Sequence, residues 1–249
     1  MFPIRDHNPS LRTPFVTYGL IALNMLIFFS YFGQLSDPLL GGTIFVSYGA
    51  IPAEISAGQD LFTLVTAMFL HGGLMHLGGN MLFLYVFGDN LEDILGHLPF
   101  LGFYLVGGLA ASFAHVFADP ASPIPMVGAS GAIAAVLGGY LLLYPKARVD
   151  VLFIIVIFIR IIPIPAYIVL GVWFGLQILN GATTSPGGGG VAYWAHAGGF
   201  VAGLALMVPF WLAKGGPQFW TRTGGHPDHP ETRYRASRTR IPTVRRKRR

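Results

Sequence analysis

The sequence predicts an all-α polytopic membrane protein with six transmembrane helices. Three observations support this fold class. The 249 residues are 53% hydrophobic and only 11% charged, whereas a soluble domain carries about 25% charged residues. Six apolar stretches approach the roughly 20 residues that a helix needs to cross a bilayer. Lys and Arg occur only in alternate connecting segments. A soluble domain, a disordered chain and a disulfide-stapled secreted scaffold are therefore excluded, the last because the chain has no Cys.

The first three predicted spans are separated by polar segments. Phe15–Phe32 carries no charged residue, and no small-residue cleavage site follows it, so we interpret it as a span rather than a signal peptide. Leu61–Phe87 is the second span and contains the polar motif HGGLMHLGGN. Leu98–Phe117 is the third span and begins after an acidic loop.

Among the last three predicted spans, the fifth lies in an apolar region that is interrupted by polar and proline residues. Met126–Tyr144, the fourth, follows a proline-rich loop. The region Val151–Leu179 is too long for one untilted span and is interrupted by Arg160 and two prolines. We interpret the part before Arg160 as an interfacial or dipping segment and Ile164–Leu179 as the fifth span. Tyr193–Ala213 is the sixth.

The distribution of basic residues orients the predicted bundle. Three alternate loops lack Lys and Arg altogether, namely residues 34–60, 118–125 and 180–190. Positive charge marks the cytoplasmic side, so both termini are predicted to be cytoplasmic. The predicted domains are a cytoplasmic arm (1–13), a six-helix membrane domain (14–213) and a basic, disordered cytoplasmic tail (214–249). In the absence of an organellar targeting segment before the first span, we expect the inner membrane of a prokaryotic cell.

The basic tail accounts for the net charge of +5. From Lys214 onward there are 11 basic and 2 acidic residues, whereas the preceding part of the chain has 5 basic and 9 acidic ones. The basic character therefore does not indicate a nucleic-acid partner. The tail is instead predicted to meet anionic lipids of the inner leaflet, at about 1 kcal/mol per basic residue.

Several polar side chains lie where the spans should be apolar, which makes them functional candidates. They are His71, His76, Asn80, His115, Ser130 and His196. His76 and Asn80 share a helix face at i and i+4. Depth in the membrane can be calculated along each span at about 1.5 Å per residue. Measured from the cytoplasmic end of its own span, His76 lies at roughly 18 Å, Ser130 at roughly 21 Å and His196 at roughly 26 Å. The three side chains are thus at a similar depth in the outer half of the bilayer and could share a cavity.

A serine and a histidine at one depth favour nucleophilic catalysis. Neutral imidazole is the usual base that activates a serine hydroxyl. Ser130 would open its helix, where unpaired backbone N–H groups could stabilise an oxyanion together with His76 and Asn80. No span interior holds a carboxylate, so His196 would act in a dyad. The motif H-E-x-x-H is absent, and neither a metal nor a cofactor is predicted.

Each motif also has a simpler interpretation. The GASGA segment is typical of tight helix packing, as are Gly199 and Gly203 in the sixth span. A serine in a span often bonds to its own helix. Intramembrane histidines occur in proton relays and ion sites, so a transporter or channel is an alternative.

The three motifs together resemble the rhomboid intramembrane serine proteases. They are HGGLMHLGGN in span two, GASG in span four and AHAGGFVAG in span six. The resemblance, over about residues 14–213, implies a rhomboid-like six-helix bundle that cleaves transmembrane segments of other membrane proteins near their outer end.

The resemblance also implies a role for each site residue. Ser130 would be the nucleophile and His196 the general base, while His76, Asn80 and the Ser130 N–H would form the oxyanion hole. Gly199 and Gly203 would let spans four and six approach each other. The remaining motif residues, with supporting roles, are His71, Gly128 and Gly131.

Two positions depart from the family pattern. Some members place a tyrosine four residues after the nucleophile, where its ring stacks on the base, but this chain has Ala134. Some also carry Trp and Arg in the first outer loop, which here contains neither. What orients the His196 ring is therefore left open by the sequence, although neither departure concerns the reacting groups. Separately from these departures, an inactive, membrane-protein-binding relative is a further alternative. The glycine-rich segment 183–190 fits a mobile gate or a plain connector equally well.

Overall fold

A computed structural model describes residues 2–8, 10–155, 158–183 and 191–227. The described chain is mostly helical, with a small antiparallel sheet. The helices are α1 (Phe15–Tyr31), α2 (Pro38–Tyr48), α3 (Pro52–Ser56), α4 (Thr63–Thr66), α5 (Leu74–Leu95), α6 (His97–Ala118), α7 (Ser130–Leu143), α8 (Ala166–Thr183), α9 (Tyr193–Ala213) and α10 (Pro217–Thr223). The strands are β1 (Phe2–Asp6), β2 (Arg148–Ile155) and β3 (Phe158–Pro165).

Four of the predicted spans correspond to helices long and apolar enough to cross a membrane. These are α1 with its 3₁₀ continuation, α6, α8 and α9. Many large apolar side chains of α1 and α8 are exposed, as expected of helices that face lipid. The chain is therefore a multi-pass membrane protein.

The prediction of one continuous second span, Leu61–Phe87, is wrong. The segment holds the short helix α4 and a 3₁₀ turn, and the helix α5 begins only at Leu74. Gly72 and Gly73 lie in the break, and the backbone of Gly73 is fully extended (φ 168°, ψ 169°). At the other end α5 continues to Leu95, past the predicted boundary, because its acidic residues find partners there. Glu92, for example, accepts hydrogen bonds from the backbone of α1.

The fourth predicted span, Met126–Tyr144, is shorter than expected. Helix α7 has 14 residues, about 21 Å, which is less than the roughly 30 Å of the hydrocarbon core. Its residues from Gly131 to Tyr140 are all buried. Packed among α5, α6 and α9, α7 forms the centre of the bundle. A helix surrounded by protein need not itself match the thickness of the bilayer.

The segment before Arg160, predicted to be interfacial or dipping, lies in the strands β2 and β3, so the prediction of an all-α fold is wrong. Strands β2 and β3 pair antiparallel, and β1 from the N-terminal arm pairs with β2. The reason is local: β2 and β3 are rich in Val and Ile, which favour extended backbone. The sheet order β1-β2-β3 leaves β3 at an edge, where Pro163 is tolerated because an edge strand needs fewer donors.

The N-terminal arm is anchored beneath the bundle by polar contacts. The Asp6 carboxylate accepts hydrogen bonds from Tyr140 Oη at 3.0 Å and from Asn90 Nδ2 at 2.9 Å. Burial, together with the nearby Asp89 carboxylate, raises the pKa of Asp6 to about 7. Asp150 on β2 accepts from Arg5 at 2.6 Å.

Part of the predicted disordered tail is structured. Helix α10 lies in it, and Trp220 Nε1 donates a hydrogen bond to the Leu142 carbonyl at the end of α7. Residues 228–249, with most of the basic charge, lie outside the described residues, as does segment 184–190 of the glycine-rich loop.

Candidate active site

Ser130 and His196 are in direct contact although 66 positions separate them in the chain. Ser130 is the first residue of α7, and His196 lies in the first turn of α9. Ser130 Oγ and His196 Nε2 are 2.8 Å apart, which is hydrogen-bond distance. Both side chains are half-buried. A serine hydroxyl bonded to an imidazole nitrogen is the geometry of an activated nucleophile.

The contact depends on glycines that let α7 and α9 approach closely. A Cβ atom at Gly199 would overlap the carbonyl oxygen of Gly131, and one at Gly203 would overlap that of Ala135. On the other side of α7, a Cβ at Gly131 would lie 2.7 Å from Ala111 Cβ on α6. Larger residues at these positions would therefore separate the helices that hold the serine and the histidine.

His76 lies beside the start of α7 because Gly128 leaves room for it. Gly128 has φ +128°, a conformation that other residues rarely adopt. A Cβ there would be 2.8 Å from His76 Nε2 and 3.5 Å from Ser130 Oγ. The Gly72 N–H points at His76 Nδ1 at 3.4 Å, so Nδ1 is the acceptor. The neutral ring then carries its proton on Nε2, the nitrogen that faces the Ser130 region.

Asn80 lies one turn further along α5 and is 9% exposed. Its Nδ2 is buried and has no hydrogen-bond partner among the described residues. A buried amide without a partner is unfavourable in a folded protein and calls for an explanation. An unpaired donor on the same helix face as His76 is available for a group that is present only during a reaction.

His71 is not on the helix that carries His76, contrary to the predicted continuous span. It lies in the extended segment before α5, where its ring contacts the His76 ring edge to face at 5.1 Å. The Tyr31 hydroxyl binds both backbone groups of His71, accepting from the N–H at 2.7 Å and donating to the carbonyl at 3.0 Å. His115 lies half-buried in the last turn of α6, and we assign it no role.

Gln177 is a polar contact of the dyad that sequence reasoning missed. Its Oε1 is 2.8 Å from His196 Nδ1, and its Nε2 donates to the Trp173 carbonyl at 3.3 Å. The Trp173 ring is also next to the His196 ring, with centroids 5.8 Å apart and a tilt of 31°. A detectable signal existed, because Gln177 is the only Gln within the six predicted spans.

Comparison with known proteins matches this chain to one family. A family model described as the Rhomboid domain matches residues 58–213. This match covers well over half of the chain and includes every predicted site residue. The chain belongs to the rhomboid family.

Rhomboid relatives come from bacteria, plants and fungi. The chain is 34% identical over 197 residues to "Rhomboid protease GluP" of Bacillus subtilis, which covers 79% of this chain and 36% of the relative. It is 31% identical over 123 residues to "RHOMBOID-like protein 5" of Arabidopsis thaliana (46% and 40% covered). It is 30% identical over 149 residues to "Rhomboid protein 1, mitochondrial" of Saccharomyces cerevisiae (57% and 40%). The chain thus spans well under half the length of these relatives.

The residues matched by the family model run from just before α4 to the end of α9, so α1 and β1 lie outside the match. The β2–β3 hairpin lies inside it. Across the described residues, no group of three or more His, Asp or Glu side chains is placed to hold a metal ion.

Proposed function

We propose that this rhomboid protein is an intramembrane serine endopeptidase that cleaves transmembrane segments of other membrane proteins near their outer end. The observation that carries the proposal is the 2.8 Å contact between Ser130 Oγ and His196 Nε2. The printed name of the Bacillus subtilis relative, a rhomboid protease, supports the same activity.

In the proposed first step, Ser130 Oγ attacks the carbonyl carbon of the scissile peptide bond. His196 Nε2 takes the hydroxyl proton as the C–O bond forms. The tetrahedral intermediate collapses when the C–N bond breaks, and His196 gives its proton to the leaving amine. The acyl-enzyme then reacts with water, His196 again acts as the base, and the serine is regenerated.

In both steps negative charge develops on the substrate carbonyl oxygen. We assign its stabilisation to the Ser130 backbone N–H, His76 Nε2–H and Asn80 Nδ2. The first N–H groups of a helix have no partner within the helix, and the helix dipole places positive potential there. The proton position on His76 and the unpaired Nδ2 of Asn80 both support donation towards this site. The proposed supporting residues are His71, Gly128, Gly131, Gly199 and Gly203.

We further propose six membrane crossings with both termini in the cytoplasm of a prokaryotic cell. The two crossings beyond the four long apolar helices are α5 and the central helix α7. In this orientation Ser130 lies at the outer end of α7, which accounts for cleavage near the outer end of a substrate. The domain scheme is an arm (1–13), a membrane domain (14–213) and a tail (214–249) that contacts anionic inner-leaflet lipids.

The test is reconstitution into lipid vesicles with a synthetic single-span substrate that carries helix-breaking residues near its outer end. Wild type is expected to cleave it, and Ser130→Ala and His196→Ala are not. A fluorophosphonate probe is expected to label wild type and not Ser130→Ala. Gly175→Ala is a control, because a Cβ there meets no atom of the described residues within 4 Å.

Other outcomes would point to other functions. Cleavage that persists in Ser130→Ala would contradict the mechanism. Substrate binding without cleavage or probe labelling by wild type would indicate an inactive, membrane-protein-binding rhomboid. Solute flux that is insensitive to Ser130→Ala would indicate a transporter or channel.

A further inference from the structure

We propose that Gln177 is a positioning residue that fixes the tautomer and the ring orientation of His196. This inference rests on the proposed function, because it concerns how the general base is prepared for catalysis. It also answers what holds the His196 ring in a chain that has Ala134 in place of a stacking tyrosine. Gln177 is 8% exposed and lies on α8, whereas Ser130 and His196 lie on α7 and α9.

The orientation of the Gln177 amide follows from its contact with Trp173. A backbone carbonyl oxygen can only accept a hydrogen bond, so the group that faces the Trp173 carbonyl must be the NH₂ end of the amide. This contact, at 3.3 Å, places Oε1 at the opposite end, towards His196. The two ends of an amide are otherwise hard to distinguish, and here the hydrogen-bond network distinguishes them.

The amide orientation in turn determines the position of the imidazole proton. Oε1 is an acceptor without a proton, so the nitrogen it contacts, His196 Nδ1, must be the donor. A neutral imidazole carries one N–H, and Nε2 therefore keeps a free lone pair. This lone pair faces Ser130 Oγ at 2.8 Å. The Trp173 carbonyl, Gln177 and His196 form a chain whose direction leaves the base ready to accept the serine proton.

This chain of contacts has the role that a carboxylate has in a Ser-His-Asp triad. There the carboxylate holds the imidazole in the correct tautomer and orientation. A buried carboxylate needs a partner to offset the loss of its hydration, whereas an amide selects the tautomer without a net charge. When His196 becomes an imidazolium during the reaction, its Nδ1–H keeps the same acceptor. The Trp173 ring, whose centroid is 5.8 Å from that of the imidazole, further limits the space for ring rotation.

The test compares Gln177→Leu, which removes the acceptor at similar size, with Gln177→Glu, which keeps an oxygen acceptor in either ionisation state. We expect Gln177→Leu to lower kcat for cleavage by about 10- to 100-fold, the range found when a partner that orients a metal-bound histidine is lost. The rate of fluorophosphonate labelling should fall in parallel, with KM unchanged because Gln177 acts through His196. Gln177→Glu should recover most of the rate. Gln34→Leu, the same change at an exposed glutamine, should behave as wild type.

A measurement independent of activity is ¹⁵N NMR of histidine-labelled protein, with the His196 signal assigned by its loss in His196→Ala. We expect the Nδ1-protonated tautomer in wild type and its loss in Gln177→Leu. An Nε2-protonated ring in wild type overturns the inference, and so does a Gln177→Leu variant that cleaves and labels at the wild-type rate. Failure of wild type to cleave overturns the proposed function instead, while the NMR result still decides the role of Gln177.

Discussion

The carbonyl oxygen of Gly131 lies so close to Gly199 that a side chain at Gly199 would overlap it. Gly131 follows Ser130 on α7, and Gly199 lies about one turn after His196 on α9. The contact between two backbones therefore sets the distance between the nucleophile and its base. Small residues are the means by which membrane helices approach this closely.

The first prediction concerns this backbone contact. Gly199→Ala forces α7 and α9 apart, so Ser130 Oγ and His196 Nε2 lose their hydrogen bond. We expect cleavage and fluorophosphonate labelling to be lost, and overpacking to destabilise the fold by about 1–3 kcal/mol. Thermal denaturation in detergent and probe labelling measure the two effects. Gly171→Ala on α8, where the described residues leave open space, should change neither, and wild-type labelling by Gly199→Ala would contradict the prediction.

The second prediction concerns Asn80. Because its buried Nδ2 has no partner among the described residues, Asn80→Ala removes a donor without breaking a hydrogen bond seen in the folded protein. We expect thermal stability to be retained while kcat falls by about 10²- to 10³-fold, the effect of losing one oxyanion donor. Gly79→Ala, its neighbour in open space on α5, is the matched control. If Asn80→Ala loses both thermal stability and probe labelling, the role of Asn80 is structural instead.

The third prediction is a dependence of stability on pH that originates at Asp6. The pKa of Asp6 is raised to about 7 in the folded protein by burial and by the Asp89 carboxylate, whereas an unfolded Asp titrates near about 3.9. Between these values the folded state binds a proton that the unfolded state releases, so stability falls as pH rises. The contribution is complete below about pH 4 and is lost as pH passes about 7.

Thermal midpoints in detergent from pH 4 to pH 8 measure this dependence. Asp6→Asn mimics the protonated carboxyl and should flatten the curve. Asp37→Asn, at an exposed aspartate that caps α2, should leave the wild-type slope. An unchanged slope in Asp6→Asn would show that another group causes the pH dependence.

The fourth prediction concerns Glu92, which caps α1 from a neighbouring helix. Its carboxylate accepts from Val16 N at 2.8 Å and from Thr17 N and Oγ at 2.7 Å, while α1 has no side-chain cap of its own. Glu92→Ala leaves buried donors unpaired, and we expect a loss of about 2–3 kcal/mol. Chemical denaturation measures it against Glu54→Ala, a control on α3. The cleavage rate per folded molecule should be unchanged, because Glu92 lies at the opposite end of α5 from His76.

The candidate site combines residues whose relative positions follow from local spacing with residues whose positions depend on distant contacts. His76 and Asn80 could be paired from sequence because they are one turn apart on a single helix. His71 could not be placed in this way, because the break at Gly72 and Gly73 removes it from that helix. Whether a glycine pair breaks a helix depends on what the flanking residues contact, and the Tyr31 hydroxyl that holds the His71 backbone is 40 positions away.

The sheet that includes the N-terminal arm also depends on distant residues and could not be predicted from local sequence patterns. Hydropathy alone does not distinguish a short apolar strand from a short membrane segment, so it does not show that the segment before Arg160 forms a sheet. Its pairing with β1 joins residues about 145 positions apart. The burial of Asp6 under α7 depends on this pairing, and no local pattern in the arm predicts it.

The sequence by itself determined the membrane location, the four long apolar helices and the motifs that resemble the rhomboid family. It could do so because hydropathy and residue spacing are local properties. The tertiary structure decided that α7 is a short central helix, that the arm forms a strand and that Gln177 contacts His196. These features depend on contacts between segments that are distant in the chain. Spacing along the chain predicts that Ser130 and His196 lie at a similar depth. The packing of the helices places their reactive atoms at hydrogen-bond distance.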